Sequence, residues 1–404
     1  MVNPLRARCR AGRRVRHGAT ALATVVALTG VAACSGDSGG EDETVKIGLV
    51  IALTGPYAQI GKEMRDGIRL YLDTHGKRLG GRKVELSVAD EGADGKPAGP
   101  AAQKLIKEKG VDVLMGLASG EALAGVVPVA NKNKIPLVGV GGRIELKNID
   151  YIWHTSLLSD QPGASLAPYV KDKVNGPVYA IGPDYIGGKI EVGGFTDKFK
   201  EIGGQLANPG GKAKWVPFPQ TTNFTPYLNE IAKTNAQAVY CFFGGKAAID
   251  FVKSYRRSSA ADLPLYAPGF LTETDVLGAQ GKDSKGINTV MNYVPDLDNP
   301  LNRKFAADWT AKFNSSPGSF AMYSYDGATV LDRAIKAASD KGEVTSETIN
   351  KEIGGLGKID SPRGPWEMNK KTHTPVQKWY LRQVRQDGKQ LANVTVQGLA
   401  TLGQ

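Results

Sequence analysis

Cysteine is scarce: the 404-residue chain has three, at positions 9, 34 and 241. Cys9 and Cys34 fall in the N-terminal segment discussed below, so no disulfide can brace the body of the chain. Cys241, inside the apolar run 238–243, reads as a small buried hydrophobe. Histidine is nearly as rare. His75, His154 and His373, those beyond the first 33 residues, stand at spacings that match no zinc motif, and no metal is expected. Basic runs interleaved with aromatics are missing as well. The formal charge is +11, but six arginines crowd the first 33 residues, and the remainder carries 45 basic against 40 acidic residues, a net of +5. So small and scattered an excess argues against a nucleic-acid partner.

Catalytic signatures are also thin. Gly36-Asp37-Ser38-Gly39-Gly40 has the form of a serine-protease nucleophile loop, but a triad needs a histidine and an aspartate held by a folded scaffold, and none precedes it. Gly139-Val140-Gly141-Gly142 follows a strand as a dinucleotide loop would, without the spaced acidic residue. Neither an enzyme nor a cofactor is expected.

The N-terminus is rich in signal. Arg6, Arg8, Arg10, Arg13, Arg14 and Arg16 precede the apolar stretch Ala19 to Ala33, which is shorter than the roughly 20 residues needed to span a bilayer. Charged head, apolar middle and small residues at the end are the parts of an export signal. The closing Leu28-Thr29-Gly30-Val31-Ala32-Ala33-Cys34 resembles a bacterial lipoprotein lipobox, which makes residues 1–33 a signal peptide and Cys34 the lipid-attachment point. Arg13-Arg14 leaves twin-arginine export open beside the general route. Residues 34–43 are polar, glycine-rich and acidic, and read as a tether to the outer face of the membrane.

From Thr44 onward, short β-branched runs alternate with amphipathic windows. Val45 to Ile51 reads as a strand, and Met64, Ile68, Tyr71 and Leu72 mark one face of a helix over 62–75. Further strands are expected over 84–89, 111–117 and 135–140, with helices over 98–108 and 121–132 between them. Such βα alternation implies a parallel sheet with right-handed crossovers. After a stretch without periodicity, 151–159, a second series begins, with strands over 177–181, 213–218, 238–243 and 265–268 and helices over 188–202, 225–234 and 247–257. Residues 286–293 read as a strand returning to the first lobe, followed by helices over 300–313 and 323–338. A terminal hairpin or edge is expected from 364–368 and 379–384. The expected division is 44–156 plus 286–365 for the first α/β lobe and 157–285 plus 366–404 for the second.

Ligands of open parallel sheets sit at the carboxyl ends of strands, which singles out four loops: 52–61, 117–120, 139–143 and 182–185. A helix starting at Ser119-Gly120 offers free N–H groups, a positive dipole end and a hydroxyl to a carboxylate, although Ser119 equally reads as a simple cap. Arg143 reads either as a forked partner for a carboxylate or as an exposed loop residue.

The segments Lys46-Ile47-Gly48, Leu53-Thr54-Gly55-Pro56, Ser119-Gly120, Asp184-Tyr185, Phe224-Thr225-Pro226-Tyr227-Leu228 and Tyr325-Asp326-Gly327-Ala328 together resemble the extracytoplasmic solute-binding proteins of branched-chain amino-acid ABC importers. That resemblance implies two Rossmann-like lobes joined by a three-crossover hinge, a type I periplasmic-binding fold. It also implies a ligand in the cleft and, as partners, a permease with its ATPase. The implied ligand residues are Tyr57, Ser119, Gly120, Gly141, Gly142, Arg143, Tyr185 and Phe270. The chain departs from the family in its second lobe: Phe270 falls where the amino-acid binders carry a glutamate for the ligand ammonium, Glu273 follows three residues on, and Ile60 replaces a tyrosine. Phe270 near Phe242 and Phe243 then points to a carboxylate that lacks an amine, such as an aromatic acid, unless Phe242 merely fills the core. The ligand is therefore expected to be a branched-chain or hydrophobic amino acid, or an aromatic acid. A ligand-sensing module of the same fold remains the alternative role.

Overall fold

The computed structural model describes residues 44–403 apart from 220 and 389. The expected leader, Cys34 and tether lie outside the described residues. Residues 44–173 form β1 (Thr44–Ile51), α1 (Ala58–Thr74), β2 (Arg78–Leu79), β3 (Arg82–Asp90), α2 (Ala98–Lys104), β4 (Val113–Gly116), α3 (Gly120–Asn133), β5 (Leu137–Gly139), β6 (Gly142–Arg143), β7 (Ile152–His154), β8 (Leu157–Leu158) and α4 (Gln161–Lys173). The middle of the chain adds β9 (Val178–Pro183), α5 (Ile186–Glu201), β10 (Lys214–Val216), α6 (Thr225–Ile231), β11 (Ala238–Cys241), α7 (Gly245–Tyr255), β12 (Leu265–Pro268), α8 (Thr274–Gln280) and β13 (Asn288–Met291). It ends with α9 (Pro300–Phe313), α10 (Ser319–Asp340), α11 (Ser346–Gly355), β14 (Glu367–Met368), β15 (Pro375–Asp387) and β16 (Gln390–Leu402).

The first sheet has the order β2-β3-β1-β4-β5-β7 and is parallel except where β2 meets β3. Its central strand is buried on both faces, which is why β1 reads as an almost continuous apolar run. Ile47, Leu49 and Ile51 join one core with Met64 and Ile68 of α1 and Val330 of α10, while Val50 joins another with Leu123 and Val126 of α3. Gly67 sets the spacing of α1 and α10, since a Cβ there would lie 2.4 Å from the Ala321 carbonyl oxygen.

The second sheet runs β10-β9-β11-β12-β13-β15-β14, parallel as far as β13, with β16 folded back on β15 as an antiparallel hairpin. Residues 286–293 are here corrected: β13 does not return to the first lobe but pairs in parallel with β12 and antiparallel with β15 in the second sheet. An apolar run buried on both faces carries no mark of which sheet owns it. The return comes after Tyr293, and α9 to α11 then complete the first lobe.

The crossings between lobes are knotted together by buried polar groups. Gln377 donates to the Ser156 carbonyl at 2.8 Å and accepts from Arg363 and from Asn292, both at 2.5 Å. Arg363 also donates to the Thr155 carbonyl at 2.6 Å and pairs with Asp326 at 2.9 Å. Asp326 Oδ2 further accepts from Ser361 at 2.8 Å and from the Trp366 indole at 3.1 Å, while Asp326 Oδ1 and Arg363 Nε are buried without a hydrogen-bond partner.

Candidate ligand-binding site

The carboxyl ends of both parallel sheets face one another across the gap between the lobes. In the first lobe, Asp90 fixes the loop after β1, accepting from the Leu53 N–H at 2.8 Å and the Thr54 hydroxyl at 2.7 Å. This sets Tyr57 at the start of α1. After β4 the chain turns sharply through Gly116 (φ 124°) and Leu117 (φ 70°), a conformation rare for a bulky side chain and typical of constrained functional loops. The turn aims the N-terminus of α3 into the gap. From the second lobe come Tyr185 at the start of α5, Phe242 and Gly244 after β11, and Phe270 after β12.

These loops meet. The Tyr57 and Tyr185 hydroxyls lie 2.9 Å apart, the Ile186 N–H donates to Glu121 at 2.8 Å, and the Lys246 N–H donates to the Pro56 carbonyl at 3.2 Å. Phe218 stacks on both tyrosines, with centroids 5.6 Å from Tyr57 and 4.7 Å from Tyr185. The lobes thus meet around a small cavity of about 30 Å³. Its first-lobe wall is Tyr57, Ile60, Ala118, Gly120, Gly142 and Phe320, and its second-lobe wall is Tyr185, Gly187, Glu191, Phe242, Gly244 and Phe270, with Ser159 from the crossing. Phe270 stands edge-on to Phe242 at 5.9 Å and stacks with Phe320 at 5.3 Å.

Five residues expected from the sequence, Tyr57, Gly120, Gly142, Tyr185 and Phe270, come together in this lining. Three others lie outside it. Ser119 is buried and caps α3, its Oγ accepting from the Ala122 N–H at 3.2 Å. Gly141 packs against the turn below, where a Cβ would stand 2.2 Å from the Leu117 carbonyl oxygen. Arg143 lies in β6, which pairs with β8 at the crossing, and at 5 % exposure it is no surface arginine. Its Nε and Nη1 have no hydrogen-bond partner, and burial pulls its pKa down to about 10.

The sequence reading passed over Glu191 and Phe320. Glu191 is buried on α5 with Oε2 unpartnered, and burial pushes its carboxyl well above the ordinary range, with Asp160 adding to the rise. One signal was available, because Gly187 and Glu191 stand four apart on α5 and so share a face. Glu273, by contrast, is spoken for: it pairs with Arg382 at 2.7 Å and accepts the Ser319 N–H at 2.8 Å. Glu91 lies behind the α3 N-terminus, accepts the Ala118 N–H at 2.8 Å and is raised by burial to about 8. Among the described residues, no three His, Cys, Asp or Glu side chains come together as a metal site.

A model of the periplasmic binding protein family matches residues 44–389. The chain belongs to that family. This binding protein is 28% identical over 370 residues to the Leu/Ile/Val-binding protein homolog 6 of Brucella melitensis, covering 89% of its own length and 92% of the relative's. Among solved structures it is similar to a solute-binding protein of an ABC transporter from R. palustris in complex with benzoate (28% identity, TM-score 0.78, 89% and 98% of the two chains). It is also similar to one from Rhodopseudomonas palustris BisB5 in complex with 3,4-dihydroxybenzoic acid (25% identity, TM-score 0.80, 90% and 99%). A leucine-binding protein from Thermotoga maritima, at 20% identity and a TM-score of 0.74, shares the fold. The two-lobed type I architecture and an extracytoplasmic place of work follow from the family.

Proposed function

We propose that this protein captures a small hydrophobic carboxylic acid, foremost a branched-chain or other hydrophobic amino acid, and delivers it to the permease and ATPase of an ABC importer. The observation that carries the reading is the closed cavity, apolar on its flanks and built from strand-end loops of both lobes. In this reading the ligand carboxylate meets the N-terminal end of α3 at Gly120 and the loop at Gly142, where the helix dipole is favourable. Arg143, next along the chain, adds positive potential and two N–H groups in want of partners, while Ser119 serves by holding the helix start. The apolar body lies against Ile60, Phe242, Phe270 and Phe320. The ligand holds the lobes together only by the difference between its affinities for the closed and open forms, and the permease reads the closed one. Lipid on Cys34 anchors the protein outside the cell.

The ring cluster Phe242, Phe270 and Phe320 favours a second reading, an aromatic acid such as benzoate. A thermal-shift panel of hydrophobic amino acids and aromatic acids tests both, since a ligand of the folded state raises its melting temperature. Stabilisation by members of either class supports the function; a response only to sugars, cations or charged amino acids defeats it.

A further inference from the structure

Three cavities share walls, each with the next. The first, of about 30 Å³, is the cavity between the lobes; the second, a neck of about 10 Å³, shares Ile60, Phe270 and Phe320 with it. The third is a chamber of about 620 Å³ that shares Gln59, Glu273 and Asp275 with the neck. Its walls come from α8 and the β15–β16 hairpin of the second lobe, from α9 and the loop after it in the first, and from Pro295 and Asp296 between them. A volume of about 30 Å³ has room for roughly two water molecules. Far more space lies beyond the neck.

Phe320 forms the partition. It stands in the first turn of α10, is 3% exposed, and stacks its ring on Phe270 at 5.3 Å. The two rings come from opposite lobes, and one carboxylate ties their carriers together. Glu273, three residues after Phe270, accepts at 2.8 Å from the N–H of Ser319, the residue before Phe320, and pairs with Arg382 at 2.7 Å. The chamber beyond is braced by bonds of its own: the Thr272 hydroxyl donates to Asn393 at 2.7 Å, and the Thr395 hydroxyl donates to Asp296 at 2.7 Å, which pins the hairpin to the crossing. Leu277, Pro295, Ala306, Pro317 and Leu391 give the chamber apolar wall. Its charged lining residues are Glu273, Asp275, Asp296 and Asp387 against Arg382, which Glu273 already holds.

Resting on the proposed function, we infer that Phe320 is a specificity-determining residue that limits the length of the acid, and that the chamber behind it is a subsite for the tail of a longer one. While the ring is stacked on Phe270, the chain of an acid held at Gly120 and Gly142 is stopped at the two rings. Once the ring is shortened, a chain passing between Ile60 and Phe270 runs through the neck into the chamber. Each methylene buried there strengthens binding by up to about fourfold. The tail that fits is apolar and uncharged at its end, because a second carboxylate would meet four acids whose one cation is already paired.

The test pairs each short acid with a longer one of the same head, L-leucine with L-2-aminooctanoate and benzoate with 4-butylbenzoate, by titration calorimetry at pH 7. The proteins are the wild type, Phe320→Ala, and Phe320→Ala combined with Ala306→Trp, a substitution that fills the chamber at a position lining neither the neck nor the first cavity. In whichever pair binds, the wild type should hold the longer acid at least about tenfold more weakly than the shorter, and Phe320→Ala should reverse that order by about tenfold or more. Adding Ala306→Trp should cancel the reversal. If Phe320→Ala does not fold, Phe320→Leu takes its place with a smaller expected gain for the longer acid, about threefold, again cancelled by Ala306→Trp. Wild-type binding of the longer acid as tight as or tighter than the shorter, no gain for it on shortening Phe320, or a gain that survives Ala306→Trp each overturns the assignment while leaving the capture of a hydrophobic acid standing. Binding of none of the four acids by the wild type overturns the proposed function and the assignment together.

Discussion

The hydroxyl of Tyr57 in the first lobe lies 2.9 Å from the hydroxyl of Tyr185 in the second, so one hydrogen bond spans the mouth of the cavity. Burial raises both phenols well above their ordinary value, which keeps them neutral and bonded through the physiological range. A neutral hydrogen bond contributes about 0.5–1.5 kcal/mol. Tyr185→Phe should therefore weaken ligand binding about 2- to 10-fold by calorimetry, with little change in the melting temperature of the free protein.

Gly245 opposes Pro56 across the same mouth. Its φ is +56°, and a Cβ there would stand 2.0 Å from the Pro56 carbonyl oxygen, backbone that cannot swing aside. Gly245→Ala should wedge the lobes apart, weaken ligand affinity at least about tenfold, and raise the radius of gyration of the ligand-bound protein in solution scattering.

Gly142 and Ser119 separate two roles that the sequence left merged. Ser119→Ala removes the cap of α3 and should cost about 1 kcal/mol of stability in denaturant unfolding. Gly142→Ala intrudes on Ser159 and Glu191 inside the cavity, and its main effect should be on affinity. A variant at 119 that abolished binding at full stability would reverse that assignment.

Glu91 gives the fold a pH dependence. Its folded pKa, about 8, lies above the ordinary value of 4.5, so the native state holds a proton that the unfolded chain releases in between. Its contribution is whole below about pH 4.5 and is lost as pH rises toward 8. The melting temperature should fall from pH 5 to pH 8, and fall less in Glu91→Gln.

The hinge depends on a buried charge pair. Asp326→Ala strands the Arg363 guanidinium, 1% exposed at its side chain, and should destabilise the protein by about 3–5 kcal/mol. Asp308→Ala, which breaks the exposed pair with Lys304, should change stability by less than about 1 kcal/mol in the same assay.

What the sequence made legible follows from periodicity. Strands such as β1, covered on both faces, announce themselves as apolar runs, and α1 by Met64, Ile68 and Tyr71 on one face. The loops that carry Tyr57, Gly120, Tyr185 and Phe270 into the cavity follow from those strand ends. Other features leave no such trace. The helix α4, which is not among the elements expected from the sequence, carries Pro162 and Pro168, although Pro162 sits in its first turn, where a missing N–H costs nothing. The sheet to which β13 belongs is fixed by its pairing with β15, nearly a hundred residues away. In β16 the side chains are half-exposed and mixed, so neither face stands out. Glu191 was missed because a glutamate within a helix ordinarily faces water, and only the packing of α5 against the crossing at Ser159 turns it inward. Arg143 was placed in a loop because the two-residue pairing of β6 with β8 is too short to leave a pattern.

The central claim, that a small hydrophobic acid is held between the lobes, is tested most directly by titrating the purified protein at pH 7 with L-leucine and with benzoate. Saturable binding of at least one of them, one molecule per chain, weakened in both Tyr185→Phe and Gly245→Ala, is the predicted result. Absence of heat and of thermal stabilisation with either acid, or binding indifferent to both substitutions, would contradict it.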